Sequence, residues 1–266
     1  MDAVPGDGDV VAVAPSKLLW AAEAPRAAWM VATWWRHRAL LAAAPPGDGR
    51  IVMVLPGLFN SDRSNVVMRR FLNRLGYRAH GWDLGRNLGV RTVGTDAERL
   101  IAKVEALADA GPVTLIGVSL GGIIARLVAH ARPDLVREVI TVASPYAGSA
   151  KATNVWRAFE WVTGERLDDP AVIARSDAIA RPLPVPATAI WSRSDGLVAG
   201  AICRCDDARP IEVRSGHLGV QLRPEVLRAI ADVLAGGAPA GRGRTADGFG
   251  GPSKDSLNRC RHRDST

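Results

Sequence analysis

The fold of this chain is constrained most by two short apolar segments that are joined through a glycine-flanked serine. Residues 113–116 read Val-Thr-Leu-Ile, a pattern typical of a buried strand, and residues 123–128 have helical character. Between them lies a Gly-x-Ser-x-Gly sequence, residues 117–121, centred on Ser119. A serine at a sharp strand-to-helix turn has strained backbone angles, so its neighbours two positions away must be nearly free of side chain. The pattern predicts a nucleophile at a helix start, where the amides favour negative charge; an ordinary glycine-rich turn is the alternative.

Two loops later in the chain could supply partners for this serine. Residues 186–191 and 210–213 are strand candidates; the first ends in a loop containing Asp195, and the second runs into His217. Open α/β sheets keep their sites at the carboxyl ends of the strands, so we expect both side chains near Ser119. His217 would take the proton from the serine hydroxyl, and Asp195 would orient the imidazole and stabilise its charged form.

Other histidines and acids are placed less favourably for such a site. Asp206 and Asp207 are rival acids, but they precede the second of these strands instead of following it. His80 lies on an early strand, before the serine, and His130 lies on the helix that follows Ser119. We therefore predict a catalytic set of one serine, one late aspartate and one late histidine.

The segment after the first predicted strand could stabilise negative charge that develops on a substrate. Residues 51–55 form an apolar strand candidate that runs into Pro-Gly-Leu-Phe. Gly57 permits a tight turn, so the amide of Leu58 could point at the site, and the amide of Leu120 would be the second donor. An ordinary strand-to-loop turn is the alternative.

Strand and helix patterns alternate along residues 50–235. This alternation predicts an α/β fold with a mostly parallel central sheet and helices on both faces. Residues 1–49 form an N-terminal extension with a tryptophan-rich helical segment, and residues 236–266 form a basic tail that we expect to be disordered. Between about residues 147 and 183 an apolar, helical sequence interrupts the alternation.

The Gly-x-Ser-x-Gly turn, Asp195, His217 and residues 56–58 together resemble the α/β-hydrolase family, in particular bacterial lipases and esterases, over about residues 50–235. The resemblance implies the α/β-hydrolase fold and hydrolysis of carboxylic esters through an acyl-enzyme intermediate. It does not define the substrate, which could be a small-molecule ester or a lipid ester. Thioester cleavage or acyl transfer would use the same residues, and a non-catalytic binding or membrane-associated member of the fold is the alternative of another class.

The helical interruption at residues 147–183 has two interpretations. In an α/β-hydrolase a short helical cap is inserted here, and its aromatic side chains could line a substrate pocket; otherwise it is an extra packing helix. The candidate pocket residues are Phe59, Tyr146, Trp156, Phe159 and Trp161.

The tryptophan-rich segment at residues 17–44 also has two interpretations. It could lie on a membrane interface as an amphipathic segment, or it could pack its tryptophans on the core, which the interruption at Pro25 favours. No signal-peptide pattern and no uncharged stretch of spanning length is present, so we expect a cytoplasmic protein with at most peripheral membrane contact. The four tryptophans of the segment are Trp20, Trp29, Trp34 and Trp35.

Composition is consistent with one soluble domain. The chain has 266 residues, 47% of them hydrophobic, which is enough for a sizeable core. Part of the net charge of +7 lies in the basic tail, which is more typical of a solvated terminus than of a nucleic-acid site, so we expect no nucleic-acid partner. Three cysteines, two of them at 203 and 205, do not suggest a disulfide framework, and we expect neither a metal nor an organic cofactor.

Overall fold

Six parallel strands form one sheet in the computed structural model, which describes residues 13–205 and 207–236. The strands are β1 (Ile51–Leu55), β2 (Arg78–Gly81), β3 (Val113–Val118), β4 (Val136–Val142), β5 (Ala187–Trp191) and β6 (Arg209–Glu212). Their order across the sheet is β2-β1-β3-β4-β5-β6, and every neighbouring pair is parallel. This confirms the predicted parallel α/β architecture. The predicted disordered tail and the first twelve residues lie outside the described residues.

Helices cover the sheet on both faces. They are α1 (Lys17–Ala21), α2 (Glu23–Thr33), α3 (Arg38–Ala42), α4 (Val66–Leu75), α5 (Val90–Val93), α6 (Glu98–Ala108), α7 (Leu120–Ala131), α8 (Trp156–Thr163), α9 (Pro170–Ala180) and α10 (Pro224–Leu234). Between β4 and β5 the chain forms α8 and α9, at the position where the sequence interrupts the strand-helix alternation.

Two hydrophobic cores lie on opposite faces of the sheet because successive side chains of a strand point to opposite sides. In β1, Val52 and Val54 pack with α3, α4 and α10, whereas Ile51, Met53 and Leu55 pack with α6 and α7. A strand that is buried on both faces needs apolar residues at every position, and all five residues of β1 are buried. The same demand applies to β3, whose six residues are all buried and, apart from Thr114, apolar.

The N-terminal segment packs on the sheet domain through only a few of its side chains. Met30 is buried, and Trp34 is half-buried and donates its indole N–H to the Leu222 carbonyl at 2.9 Å. Trp20, Trp29 and Trp35 are 52%, 68% and 64% exposed, so the prediction that the tryptophans pack on the core was correct for Trp34 and wrong for these three.

None of the helices in the described part of the chain combines the length and the apolar composition needed to cross a membrane.

Candidate active site

Ser119 lies at the turn between β3 and α7 and has the strained backbone that the sequence predicts. Its φ of 52° and ψ of −122° are rarely adopted by a residue with a side chain, and its amide donates to the Val142 carbonyl at 2.8 Å. A Cβ atom at Gly121 would lie 2.6 Å from the Leu55 carbonyl oxygen, and one at Gly117 would collide with the backbone of α7. Both flanking glycines are therefore required sterically.

The structure brings Ser119, His217 and Asp195 together from three separate loops. The Ser119 Oγ lies 3.1 Å from the His217 Nε2, and the His217 Nδ1 lies 2.7 Å from the Asp195 Oδ2. A proton on Nδ1 lets the imidazole donate to the carboxylate and leaves Nε2 free to accept from the serine hydroxyl. This is the arrangement of a nucleophile, a general base and an orienting acid.

The carboxylate of Asp195 is held from its other side by its own loop. Its Oδ1 accepts hydrogen bonds from the amides of Leu197 and Val198 at 2.8 and 2.9 Å. Asp195 is 3% exposed, and the His217 side chain is 11% exposed. The pair is thus largely shielded from water, and the acid has hydrogen-bond donors to both oxygens.

The surroundings of His217 favour its charged form. Burial of the ring lowers the pKa, but the charge of Asp195, the hydrogen bond to it and the charge of Glu23 together outweigh burial. The pKa of His217 is therefore raised above its ordinary value of 6.5. A base of this kind gains stabilisation as it accepts a proton from the nucleophile.

Two backbone amides beside Ser119 are available to a negatively charged oxygen. In the described part of the chain neither the Leu58 amide nor the Leu120 amide has a hydrogen-bond acceptor, and both residues border the cavity beside Ser119. A Cβ atom at Gly57 would lie 3.3 Å from the Ser119 Cβ, which shows how closely the 56–59 loop passes the serine.

Asn87 holds this loop in place, and the sequence analysis missed it. Its side-chain NH2 donates to the Pro56 carbonyl at 2.7 Å, and its backbone carbonyl accepts from the Phe59 amide at 2.9 Å. Asn87 is fully buried and lies in the loop after β2. Because its partners lie 28 to 31 residues earlier in the chain, no local pattern points to it.

A mostly apolar cavity of about 140 Å³ opens beside Ser119. The predicted pocket residues Tyr146, Trp156 and Phe159 line it, together with side chains of α7 and α9. A half-buried ion pair between Glu165 and Arg175 also borders the cavity and supplies polar groups to it.

Phe59 and Trp161 do not line this cavity, and their prediction as pocket residues was wrong. Trp161 is 80% exposed because it lies five positions after Trp156 on α8, which places it about 140° around the helix from the pocket-facing side. Trp156 and Phe159 are three positions apart and share one face. Phe59 is 40% exposed, with a left-handed φ of 63°.

The rival acid Asp207 has a different role. It forms an ion pair at 3.2 Å with Arg126, whose side chain is completely buried, and it accepts from the Leu183 amide at 3.3 Å. The Arg126 guanidinium also stacks on the ring of Tyr146 at 4.0 Å. Asp206 lies outside the described residues. Cys203 is a buried free thiol, so no 203–205 bridge forms.

The described residues contain no group of three or more histidine, cysteine or acidic side chains arranged to hold a metal ion.

Comparison with known proteins identifies the fold family independently of the site. The model of the α/β-hydrolase fold family matches residues 50–183, which span half of the chain. No curated protein matches the sequence.

Solved structures of lipolytic enzymes share this fold at low sequence identity. A structure of the metagenome-derived lipolytic enzymes LipS and LipT aligns with a TM-score of 0.54 and 14% identity, covering 73% of this chain and 96% of that one. The mature Bacillus licheniformis lipase BlEst2 aligns with a TM-score of 0.53 and 15% identity over 72% and 92% of the two chains. The Paleococcus ferrophilus monoacylglycerol lipase gives 0.50 and 16% over 73% and 96%. At these identities the similarity concerns the fold alone.

Proposed function

The chain belongs to the α/β-hydrolase family, and on this basis we propose that it is a serine hydrolase that cleaves carboxylic esters through an acyl-enzyme intermediate. The single observation that carries the proposal is the continuous hydrogen-bonded line from the Ser119 hydroxyl through the His217 ring to the Asp195 carboxylate. Neither a strained serine nor a buried aspartate-histidine pair alone would support a reaction.

Each step of the proposed reaction has a group to perform it. The Ser119 Oγ attacks the ester carbonyl carbon while its proton passes to the His217 Nε2, and Asp195 stabilises the imidazolium. The amides of Leu58 and Leu120 would donate to the oxyanion of the tetrahedral intermediate. His217 then gives the proton to the leaving alcohol. A water molecule, deprotonated by the same nitrogen, attacks the acyl carbon, and the proton returns from His217 to the Ser119 Oγ as the carboxylic acid is released.

The cavity beside Ser119 supports an apolar substrate group. Its walls are mainly aliphatic and aromatic, so the acyl chain of an ester would gain free energy by leaving water. The Glu165–Arg175 pair would favour a substrate with a polar group at that end of the chain.

A fluorophosphonate probe and an ester panel test this function. The wild-type protein should form a covalent adduct at Ser119, Ser119→Ala should form none, and p-nitrophenyl esters of increasing acyl length should differ in kcat/KM. Absence of an adduct on folded wild-type protein would refute the proposal and favour a non-catalytic member of the fold. Thioester and alcohol acceptors in the same panel separate hydrolysis of esters from thioester cleavage and acyl transfer.

We also propose that the N-terminal segment contacts a lipid surface. Six of the ten exposed large apolar side chains in the described residues lie between positions 13 and 35, and three of the six are tryptophans. Tryptophan is favoured at membrane interfaces because one end of the ring is apolar and the other is polar.

Co-sedimentation with vesicles tests this contact. The wild-type protein should sediment with phosphatidylcholine vesicles that contain anionic lipid, and the double variant Trp29→Ser, Trp35→Ser should remain in the supernatant. Trp161→Ser is the matched control, since Trp161 is as exposed but lies outside the segment. Equal sedimentation of all three proteins would contradict a specific role of the segment.

A further inference from the structure

One carboxylate from the N-terminal segment lies buried between the two loops that carry Asp195 and His217. Glu23, the first residue of α2, is 2% exposed. Its Oε1 accepts from the Gly196 amide at 2.7 Å, and its Oε2 accepts from the Leu218 amide at 2.9 Å. Each of these amides belongs to the residue that directly follows a member of the catalytic set, so one carboxylate links both loops.

The two loops are shaped to receive this carboxylate. A Cβ atom at Gly196 would lie 2.9 Å from the Glu23 Oε1, and one at Gly216 would lie 2.6 Å from its Oε2. At Gly196 a Cβ atom would also lie only 2.4 Å from the Leu19 carbonyl oxygen, so neither position has room for a side chain while the N-terminal segment is packed against the loops. Gly216, directly before His217, and Gly196, directly after Asp195, therefore have a steric reason that the catalytic set does not itself provide.

Arg26 completes the attachment of α2 to the acid loop. Its guanidinium pairs with Glu23 at 2.9 Å and donates to the Ser194 carbonyl at 2.9 Å. Asp195 is thus held from the residue before it through Arg26 and from the residue after it through Glu23. A buried carboxylate is stable only when its lone pairs have donors, and here two amides and a guanidinium supply them.

We propose that Glu23 is a positioning residue for the Ser119–His217–Asp195 set: it fixes the acid loop and the histidine loop relative to each other and so sets the contact between His217 and Ser119. The inference rests on the proposed serine hydrolase function. Glu23 lies outside residues 50–183, so the element that holds the site together is separate from the segment that identifies the family. Glu23 does not line the cavity beside Ser119 and has no proposed contact with substrate.

The charge of Glu23 gives this role a signature that a merely structural residue would lack. Asp195 and Glu23 both present negative charge to His217. Close to Glu23 lie two cations, Arg26 of α2 and Arg223 before α10, and Glu225 lies beside Arg223. Asp195 and Glu23 favour the imidazolium, so removing the charge of Glu23 should lower the pKa of His217. The acid limb of the pH–rate profile should move to lower pH by the same amount.

Glu23→Gln and Glu23→Asp separate position from charge. In the glutamine variant the charge is lost, and one of the two loop amides faces an NH2 group instead of an oxygen. The aspartate variant keeps the charge, but its carboxylate is about 1.5 Å shorter in reach and cannot meet both amides. We expect kcat to fall on the order of 10²-fold in both variants with little change in KM, and the acid limb to shift only in the glutamine variant.

Asp232→Asn is the matched control. Asp232 is also buried and also pairs with an arginine on its own helix, Arg228, at 2.8 Å, but on α10 and away from the two loops. This variant should lower the thermal midpoint while leaving kcat and the acid limb unchanged. If kcat falls as much in the control as in the Glu23 variants, general destabilisation explains the loss of kcat, and the inference is overturned.

NMR titration of His217 provides a readout that does not require turnover. In the resting wild-type protein the downfield Nδ1 proton reports the His217–Asp195 hydrogen bond; in Glu23→Gln it should weaken and the pKa of His217 should fall. Wild-type kcat in the folded Glu23→Asp protein would overturn the inference even if the glutamine variant fails to fold, and so would an unchanged pKa of His217 in folded Glu23→Gln. Absence of a fluorophosphonate adduct on wild-type protein would instead refute the hydrolase proposal, while the titration would still test Glu23.

Discussion

Replacing Asp207 by asparagine should cost stability and spare turnover, whereas the same replacement at Asp195 should do the reverse. Both aspartates lie between β5 and β6 with side chains at most 8% exposed, and the sequence alone makes them rivals for one role. Asp207 instead neutralises Arg126, whose side chain is completely buried, while Asp195 contacts His217. Comparing the two variants therefore tests whether each carboxylate stabilises the fold or takes part in the reaction.

The size of the Asp207→Asn effect follows from what Arg126 would retain. Removing one partner of a buried ion pair costs about 3–5 kcal/mol because the other charge stays buried. Arg126 would keep the Ile179 and Arg181 carbonyls, at 2.8 and 2.6 Å, and its contact with the Tyr146 ring, so the lower end, about 3 kcal/mol, applies. For a domain of this size about 2–4 °C accompanies each kcal/mol, so the thermal midpoint should fall by about 6–12 °C.

Urea unfolding and active-site titration measure the two effects separately. Asp207→Asn should lower the free energy of unfolding and keep kcat per titrated site near wild type. Asp195→Asn should keep most of the unfolding free energy and lose up to about 10⁴-fold in kcat. If Asp207→Asn leaves stability unchanged or abolishes turnover in folded protein, the assignment of the two acids is refuted.

Three further outcomes are expected. Ser119→Ala should lower kcat on the order of 10³-fold or more without changing the thermal midpoint, measured on protein free of host esterases. Activity should fall as pH drops through the pKa of His217, because the protonated ring cannot accept a proton. Since Asp195 raises that pKa, the midpoint of a kcat/KM profile should lie above 6.5. A flat profile from about pH 5 to 9 would exclude a histidine base. Phe159→Ala should raise KM for long-chain esters more than for acetate esters, whereas Trp161→Ala should change neither; equal effects would place the acyl chain outside the cavity.

The sheet and the order of the site residues could be predicted from the sequence because their signals are local. Five consecutive apolar residues in β1, and a β3 in which Thr114 is the one polar side chain, follow from burial on both faces. The strained turn at Ser119 requires its glycines within two positions. Asp195 lies in the loop after β5 and His217 in the loop after β6, which are the positions that the rule of sites at strand ends predicts.

Contacts between distant parts of the chain could not be predicted in this way. Glu23 meets amides 173 and 195 residues later, and a glutamate at the start of a helix is ordinarily a surface residue. The prediction for Trp161 failed because all the aromatic residues of α8 were assigned to one face of the helix, whereas Trp161 lies on a different face from Trp156 and Phe159. The exposed tryptophans of the N-terminal segment show the same limit, since apolar character alone does not tell which side of a helix meets the core.

The link between Glu23 and Leu218 has a consequence for biosynthesis. Leu218 is added 195 residues after Glu23, which at roughly 5–20 residues per second takes about 10–40 s. Throughout this interval the nascent chain displays α2 without the loops that its carboxylate joins, and the tryptophans beside it are available to chaperones or lipid. A ribosome-bound intermediate ending before residue 218 would carry the serine but no organised base, so newly made chains should remain inactive until both distant segments have met.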